Sequence, residues 1–258
     1  MGKGLTDEQI QFYKDNGYIH VKNILSPEEL KEISDEYDNL FRRKNQGIME
    51  NSWVGGVADD LRISDSPYSV KGVHNLQNHH ACFGKFIGNE KLLDILEDVT
   101  ETPNIMLHHT KAHFKPPEKG AMYPMHQDSP VAVFLHLDRC DPENGGLHVY
   151  PGSHKLGPLE DWGAKEGNFH WKKYTIENAT PVLAEKGDIV IFSYLLVHGS
   201  TLNTSKDRNR RMFLIQYLDA DDKQLPAEDL RLQPGYGWLF RGVNKSKDES
   251  VAKRFSHT

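Results

Sequence analysis

Residues 103–138 read PNIMLHHTKAHFKPPEKGAMYPMHQDSPVAVFLHLD. Two candidate strands, 105–115 and 131–138, are parted by Pro116-Pro117 and by Pro124-Met-His-Gln-Asp-Ser-Pro130. Prolines at those positions exclude a continuous helix. The pattern continues downstream, with strands predicted over 146–150, 180–185, 188–193 and 211–219. Turn residues separate them: Glu143-Asn-Gly-Gly146, Pro151-Gly152 and Lys186-Gly187.

Upstream of Pro103 the periodicity is mostly helical. Thr6 is placed to cap a helix over 6–15, with Asp7 and Glu8 in its first turn. Residues 17–25 alternate like a strand. Ser26, Pro27 and Glu29 form a helix start with a capping box. Residues 47–72 read as a long irregular connection, and 89–100 again has helical spacing. Helices followed by a run of short strands predict a mainly β domain with flanking α, a jelly roll buttressed by N-terminal helices. No repeat or linker divides the chain, so a single domain is expected. Its helical region spans residues 1–102, its β core residues 103–220 and its C-terminal extension residues 221–258.

The 258 residues carry 31 Lys and Arg against 37 Asp and Glu, a net charge of −6. That balance argues against general binding of nucleic acid or an anionic membrane surface, so an anionic ligand needs a local basic pocket. Neither a membrane-length apolar run nor an apolar leader is seen, and RFSHT is not a common targeting tail. Two distant cysteines, Cys82 and Cys140, suit a reducing compartment, and the cytoplasm is the expectation.

In extended chain, residues i and i+2 point to the same side, so His126 and Asp128 converge while Gln127 turns away. These two are read as sitting at the end of the first strand of the β run. His198, in His198-Gly-Ser200, is the best third ligand. Two His and one carboxylate on one face of a metal, with open positions opposite, is the arrangement of non-haem Fe(II) oxygenases. Arg208, Arg210 and Arg211 then lead into a strand, and one of them is placed to fork a carboxylate.

Taken together, these pieces resemble the phytanoyl-CoA dioxygenase family of Fe(II)/2-oxoglutarate-dependent oxygenases. The likeness rests on Phe114-Lys-Pro-Pro117 with Gly120 and His126-Gln-Asp128; on Glu143-Asn-Gly-Gly-Leu147 with Val149-Tyr-Pro-Gly-Ser-His154; on Lys186-Gly-Asp-Ile-Val-Ile-Phe192; and on His198-Gly-Ser200 with Asn203, Ser205 and Arg210. Phe12-Tyr-Lys-Asp-Asn-Gly-Tyr18 and Leu25-Ser-Pro-Glu-Glu-Leu30 fit its opening helices. The resemblance implies a double-stranded β-helix core, with Fe(II) on His126, Asp128 and His198. It also implies 2-oxoglutarate anchored by an arginine, O₂ as oxidant and ascorbate as an accessory reductant. The implied reaction decarboxylates 2-oxoglutarate to succinate and CO₂ while oxidising, most often hydroxylating, a small-molecule substrate. Same-class desaturation or cyclisation and a non-catalytic metal-binding jelly roll are the alternatives.

Two departures bear on this. Position 209, where the family pattern places its arginine, is Asn; one extra residue in the preceding turn makes Arg210 the anchor, with Arg211 in reserve. Alternation then puts Arg210, Met212, Leu214 and Gln216 on one face and Arg211, Phe213, Ile215 and Tyr217 on the other. Secondly, only Ser129 and Pro130 separate Asp128 from the next strand, where the family generally carries a longer, often aromatic loop. Either a lid is lost or a mobile segment is missing from the sequence.

His109, Lys111, His113 and Lys115 share a strand face. They are expected to line the pocket, His113 towards 2-oxoglutarate and Lys111 or His109 towards substrate. Ser200 and Asn203 either support the cosubstrate or shape the turn. His79-His80 and His154 are given no metal role. Trp53, Trp162, Trp171 and Trp238 are read as packing, with Trp162 and Trp171 in an insertion placed to cap the pocket.

Overall fold

The computed structural model describes residues 4–45, 54–55, 70–128, 131–159, 173–220 and 237–243. Helix α1 (Asp7–Asn16) starts at Thr6, whose hydroxyl accepts from Gln9 N at 3.3 Å while the Gln9 side chain accepts from Thr6 N at 2.8 Å. This reciprocal box satisfies two of the donors that a helix start leaves orphaned. Helix α2 (Pro27–Asn45) repeats the device with Ser26 and Glu29 at 3.2 and 2.8 Å. Helix α3 (Ala81–Ile87) is capped by His80, and α4 (Glu90–Thr100) by Asn89. Strand β1 (Tyr18–Val21) is shorter than the alternation over 17–25 predicts.

Two antiparallel sheets face each other. The larger is ordered β1, β9 (Ile189–Phe192), β6 (Val131–His136), β11 (Arg210–Asp219), β4 (Ile105–Lys115), β3 (Val70–His74), β2 (Val54–Gly55), with β12 (Leu239–Arg241) also on β4. The smaller is ordered β5 (Tyr123–His126), β10 (His198–Ser200), β7 (Leu147–Val149), β8 (Thr180–Pro181). This is the double-stranded β-helix, or jelly roll.

One face of the large sheet carries the helices. Phe213, Ile215, Tyr217, Leu135 and Ile191 pack there against Tyr37, Phe83, Phe86, Leu92 and Leu96, all buried. Tyr37 and Tyr217 keep their hydroxyls satisfied by donating to His113 O and Ile87 O, each at 2.7 Å. The opposite face encloses a second cluster with Phe134, Phe192, Leu147, Met212 and Leu214. Alternation along β11 separates these two environments: Arg211, Phe213, Ile215 and Tyr217 face the helices, while Arg210, Met212, Leu214 and Gln216 face the interior.

The structure differs from the sequence expectation in several places. His126 does not end the first strand of the β run: β4 stops at Lys115, and His126 lies on β5 in the other sheet, after the turn from Pro116. The strand predicted over 180–185 keeps only Thr180–Pro181, with Ala184 making an isolated bridge to Cys140. Strand β3 begins inside the segment read as irregular. Trp238 is exposed rather than packed, serving through its backbone carbonyl, which accepts from Leu107 N at 2.8 Å. Trp53, Trp162, Trp171 and the Ser129–Pro130 connection lie outside the described residues. Among the described residues no helix is long and apolar enough to cross a membrane.

Candidate functional site

His126 and His198 are brought together by strand pairing. They face each other in register across β5 and β10, with ring centroids 4.2 Å apart. The close approach requires Gly199, where a Cβ would lie 2.6 Å from Met125 Sδ and 2.8 Å from Tyr123 O. Asp128 follows β5, and its backbone carbonyl accepts from Leu195 N at 2.8 Å. Gln127 turns away, as alternation predicts. Its side chain donates to Leu195 O and Gly157 O and accepts from Leu159 N, tying the flanking loops to the site.

The donor atoms are pre-set. His126 Nδ1 lies 2.8 Å from Pro124 O, and His198 Nδ1 lies 3.0 Å from Leu196 O. Each contact needs an N–H on Nδ1, which leaves the lone pair of the neutral ring on Nε2. His126 Nε2 lies 3.7 Å from Asp128 Oδ1 and His198 Nε2 lies 3.8 Å from Asp128 Oδ2. These separations are too long for hydrogen bonds. They suit neighbouring donors on one divalent cation with bonds of about 2.0–2.2 Å. Gln216 Nε2 donates to Asp128 Oδ2 at 2.8 Å and fixes the carboxylate's rotation.

Protonation states agree with this. Burial raises the Asp128 carboxyl, but His126, His198 and Lys111 together outweigh it and hold it below the usual range. Burial, then the neighbouring His126, pushes His198 down to about 4. An ionised carboxylate with a neutral imidazole is what a metal requires. The three residues therefore fit a non-haem metal. A second grouping of ligand types, Glu32, His80 and Cys82, is a weaker fit: Glu32 is exposed, and His80 Nδ1 caps α3 by accepting from Cys82 N.

The three residues sit at one end of a cavity of about 290 Å³. Ligand sites run from roughly 300 Å³ upward, so the space suits a small molecule. On β11 the cavity is lined in order by Gln216, Leu214, Met212 and Arg210, leading away from Asp128. Arg210 is 3% exposed. Its Nε donates to Gly145 O at 3.1 Å, while Nη1 and Nη2 have only long contacts to Met212 Sδ (3.7 Å) and Ser200 Oγ (3.4 Å). Among the described residues no carboxylate pairs with it. Arg208 is occupied by Asp141 and Glu143, and Arg211 by Asp138 and Asp38. The reserve candidate is thus engaged outside the cavity, and Arg210 alone of the three lines it.

His109, Lys111 and His113 also line the cavity, as their shared face predicts. Burial lowers all three, and Lys111 depresses both imidazoles further. His108 lines it too, which strict alternation forbids. Gln216 pairs with His109 but Tyr217 with Leu107, so His108 is the extra residue of a bulge. Lys115, on the same strand face, is fully buried. Its Nζ donates to Ser200 Oγ at 2.6 Å, Thr201 O at 2.7 Å and Gly145 O at 3.4 Å. Asn203 shapes its turn, donating to Lys115 O and Arg208 O and accepting from Ser205 N. His154 Nε2 donates to Lys14 O at 3.1 Å, away from His126, Asp128 and His198. Of the face expected to line the pocket, Lys115 is not part of the cavity lining and instead supports Ser200; no motif singles out Gln216 or His136, although alternation along β11 puts Gln216 on the same face as Arg210.

Residues 13–212 match the family model described as Phytanoyl-CoA dioxygenase (PhyH). The peroxisomal phytanoyl-CoA dioxygenase of Bos taurus is 31% identical over 250 residues, covering 87% of this chain and 72% of that protein. A probable alpha-ketoglutarate-dependent hypophosphite dioxygenase of Stutzerimonas stutzeri is 26% identical over 236 residues, covering 83% of this chain and 79% of its own length. The solved structure of the epimerase SnoN in complex with Fe3+, alpha ketoglutarate and nogalamycin RO matches with a TM-score of 0.71 at 19% identity. It covers 92% of this chain and 96% of that one, and the likeness is one of fold.

Proposed function

The chain belongs to the phytanoyl-CoA dioxygenase family, and on that premise we propose that it is an Fe(II)- and 2-oxoglutarate-dependent dioxygenase working as one catalytic domain. His126, Asp128 and His198 hold the metal. Arg210 and Ser200 hold the far carboxylate of 2-oxoglutarate, and His113 lines its path. Lys111 and His109 face the substrate. The observation that carries the reading is the pair of imidazoles, each tied at Nδ1 to a backbone carbonyl, with both Nε2 atoms turned to one carboxylate.

The chemistry supplied by iron in such a site is activation of O₂ coupled to decarboxylation of 2-oxoglutarate, giving succinate, CO₂ and an oxidised substrate. The chain's own groups do the rest. Asp128 stays ionised, and Gln216 keeps its carboxylate from rotating. Lys115 and Arg210 have no acceptor atoms, so Ser200 Oγ accepts from both and its own proton is left for a further acceptor. A carboxylate in the cavity then meets the Arg210 fork and the Ser200 hydroxyl together. Burial of both strengthens these bonds by excluding water.

Among the described residues Lys111 has no carboxylate within ion-pair distance, and His109 Nε2 is buried without a hydrogen-bond partner. These groups favour a small substrate bearing a polar or anionic group. The acidic net charge argues against nucleic acid and anionic membranes as partners. The buried, unbridged Cys82 and Cys140 fit a cytoplasmic setting.

Anaerobic titration with Fe(II) tests the metal assignment. Wild type should bind one equivalent, and Asp128→Ala and His198→Ala should each weaken binding at least tenfold. Undiminished affinity in either folded variant would refute the ligand set.

A further inference from the structure

We propose that His136 is a further cosubstrate-binding residue, donating a hydrogen bond to the far carboxylate of 2-oxoglutarate beside Arg210. This deepens the reading of the cavity given above and rests on it.

His136 is fully buried and lines the cavity, yet neither Nδ1 nor Nε2 has a hydrogen-bond partner among the described residues. An imidazole with two unsatisfied nitrogens away from water is costly to keep. Its backbone is paired in the plane of the sheet: His136 N donates to Asp188 O at 3.0 Å, and His136 O accepts from Gly187 N at 2.8 Å. Alternation along β6 turns the ring to the interior, on the same face as Phe134, which also lines the cavity.

Its level in the barrel selects the partner. Strand register sets His136 opposite Met212 and Phe134 opposite Leu214. On β11, Gln216 contacts Asp128, while Arg210 lies one inward position beyond Met212. His136 thus sits two inward positions from the metal end and next to the Arg210 end. A ligand oxygen there belongs to the end of 2-oxoglutarate remote from the metal. Burial and the Arg210 charge push His136 down to about 3, so the ring is neutral and offers one N–H and one lone pair. Arg210 supplies the charge and His136 a directional donor that a carboxylate oxygen accepts.

The test is calorimetric titration of 2-oxoglutarate into Mn(II)-loaded protein under nitrogen, with melting curves of the cosubstrate-free protein. His136→Leu should bind 2-oxoglutarate about ten- to a hundredfold more weakly. Its melting temperature without cosubstrate should stay equal or rise, because an unsatisfied polar group has been replaced by an apolar one. His136→Gln keeps a donor and should lie within a few-fold of wild type. A histidine holding up the fold would give the reverse, a lower melting temperature with affinity retained, and that would overturn the proposal. Should His136→Leu not fold, the wild type decides. A slowly exchanging imidazole N–H resonance from His136 in the Zn(II)-loaded protein should appear on adding 2-oxoglutarate, and its failure to appear overturns the proposal. Absence of any 2-oxoglutarate binding by metal-loaded wild type would instead sink the underlying cosubstrate reading, and this inference with it.

Discussion

Replacing Arg210 by Met isolates the contribution of one buried cation. In the cosubstrate-free protein the guanidinium makes one good hydrogen bond, to Gly145 O at 3.1 Å, and two long contacts. Little native-state bonding is therefore lost, and removing a buried, uncompensated cation offsets part of it. With cosubstrate the balance inverts. The variant leaves a carboxylate in a dry cavity without its charge partner, which costs about 3–5 kcal/mol. That corresponds to roughly two to three and a half orders of magnitude in the dissociation constant. Arg211→Met should behave oppositely. It severs the fork to Asp138 and the bonds to Asp38 and Ser34, so it lowers the melting temperature while leaving 2-oxoglutarate affinity near wild type. The assay is calorimetric titration of 2-oxoglutarate into Mn(II)-loaded proteins, paired with thermal melts. The reasoning is refuted if Arg210→Met binds within threefold of wild type, or if folded Arg211→Met loses binding to the same degree.

Other outcomes follow from the packing and the protonation states. Gly199→Ala forces a Cβ against Met125 Sδ and Tyr123 O; it should cost about 1–3 kcal/mol of stability in urea titrations and weaken metal binding, and an unperturbed variant would show that β5 and β10 are not so tightly held. Phe213→Ala empties a fully buried site on the helix-facing side of β11 and should cost about 3–5 kcal/mol of stability while leaving 2-oxoglutarate affinity intact, as calorimetry would check. Acid should destabilise the metal-free protein. Burial depresses His136 to about 3 and His198 to about 4, whereas the unfolded chain takes up these protons near 6.5. The stabilisation is therefore complete above about pH 6.5 and is lost as pH falls towards 4, by up to about 1.4 kcal/mol per pH unit for each imidazole. Urea midpoints that stay level between pH 7.5 and 5 would contradict this.

Much of the site was legible because it depends on short-range geometry. Pleating alone sends Gln127 away from His126 and Asp128, and places Arg210 on the interior face with Met212, Leu214 and Gln216. Two helix starts were legible for the same reason, since Thr6 and Ser26 act within one turn. What was not legible depends on contacts distant in sequence. His126 falls on the small sheet rather than at the end of β4 because β5 pairs with β10, a segment far along the chain. The bulge that turns His108 inward is visible only in the pairing of β4 with β11. Strand β3 is drawn into order by its ladder with β4, and nothing in its own composition announced it. His136 carried a faint signal, a lone imidazole on the inward alternation of an otherwise apolar strand, but its significance came only with the finding that neither nitrogen is satisfied.

The most direct test of the central claim is succinate release from 2-oxoglutarate in air with Fe(II) and ascorbate, comparing wild type with folded Asp128→Ala. The account predicts succinate from wild type and a loss of at least a hundredfold in the variant, because His126 and His198 alone do not close the metal site. Equal succinate release by both proteins would contradict it.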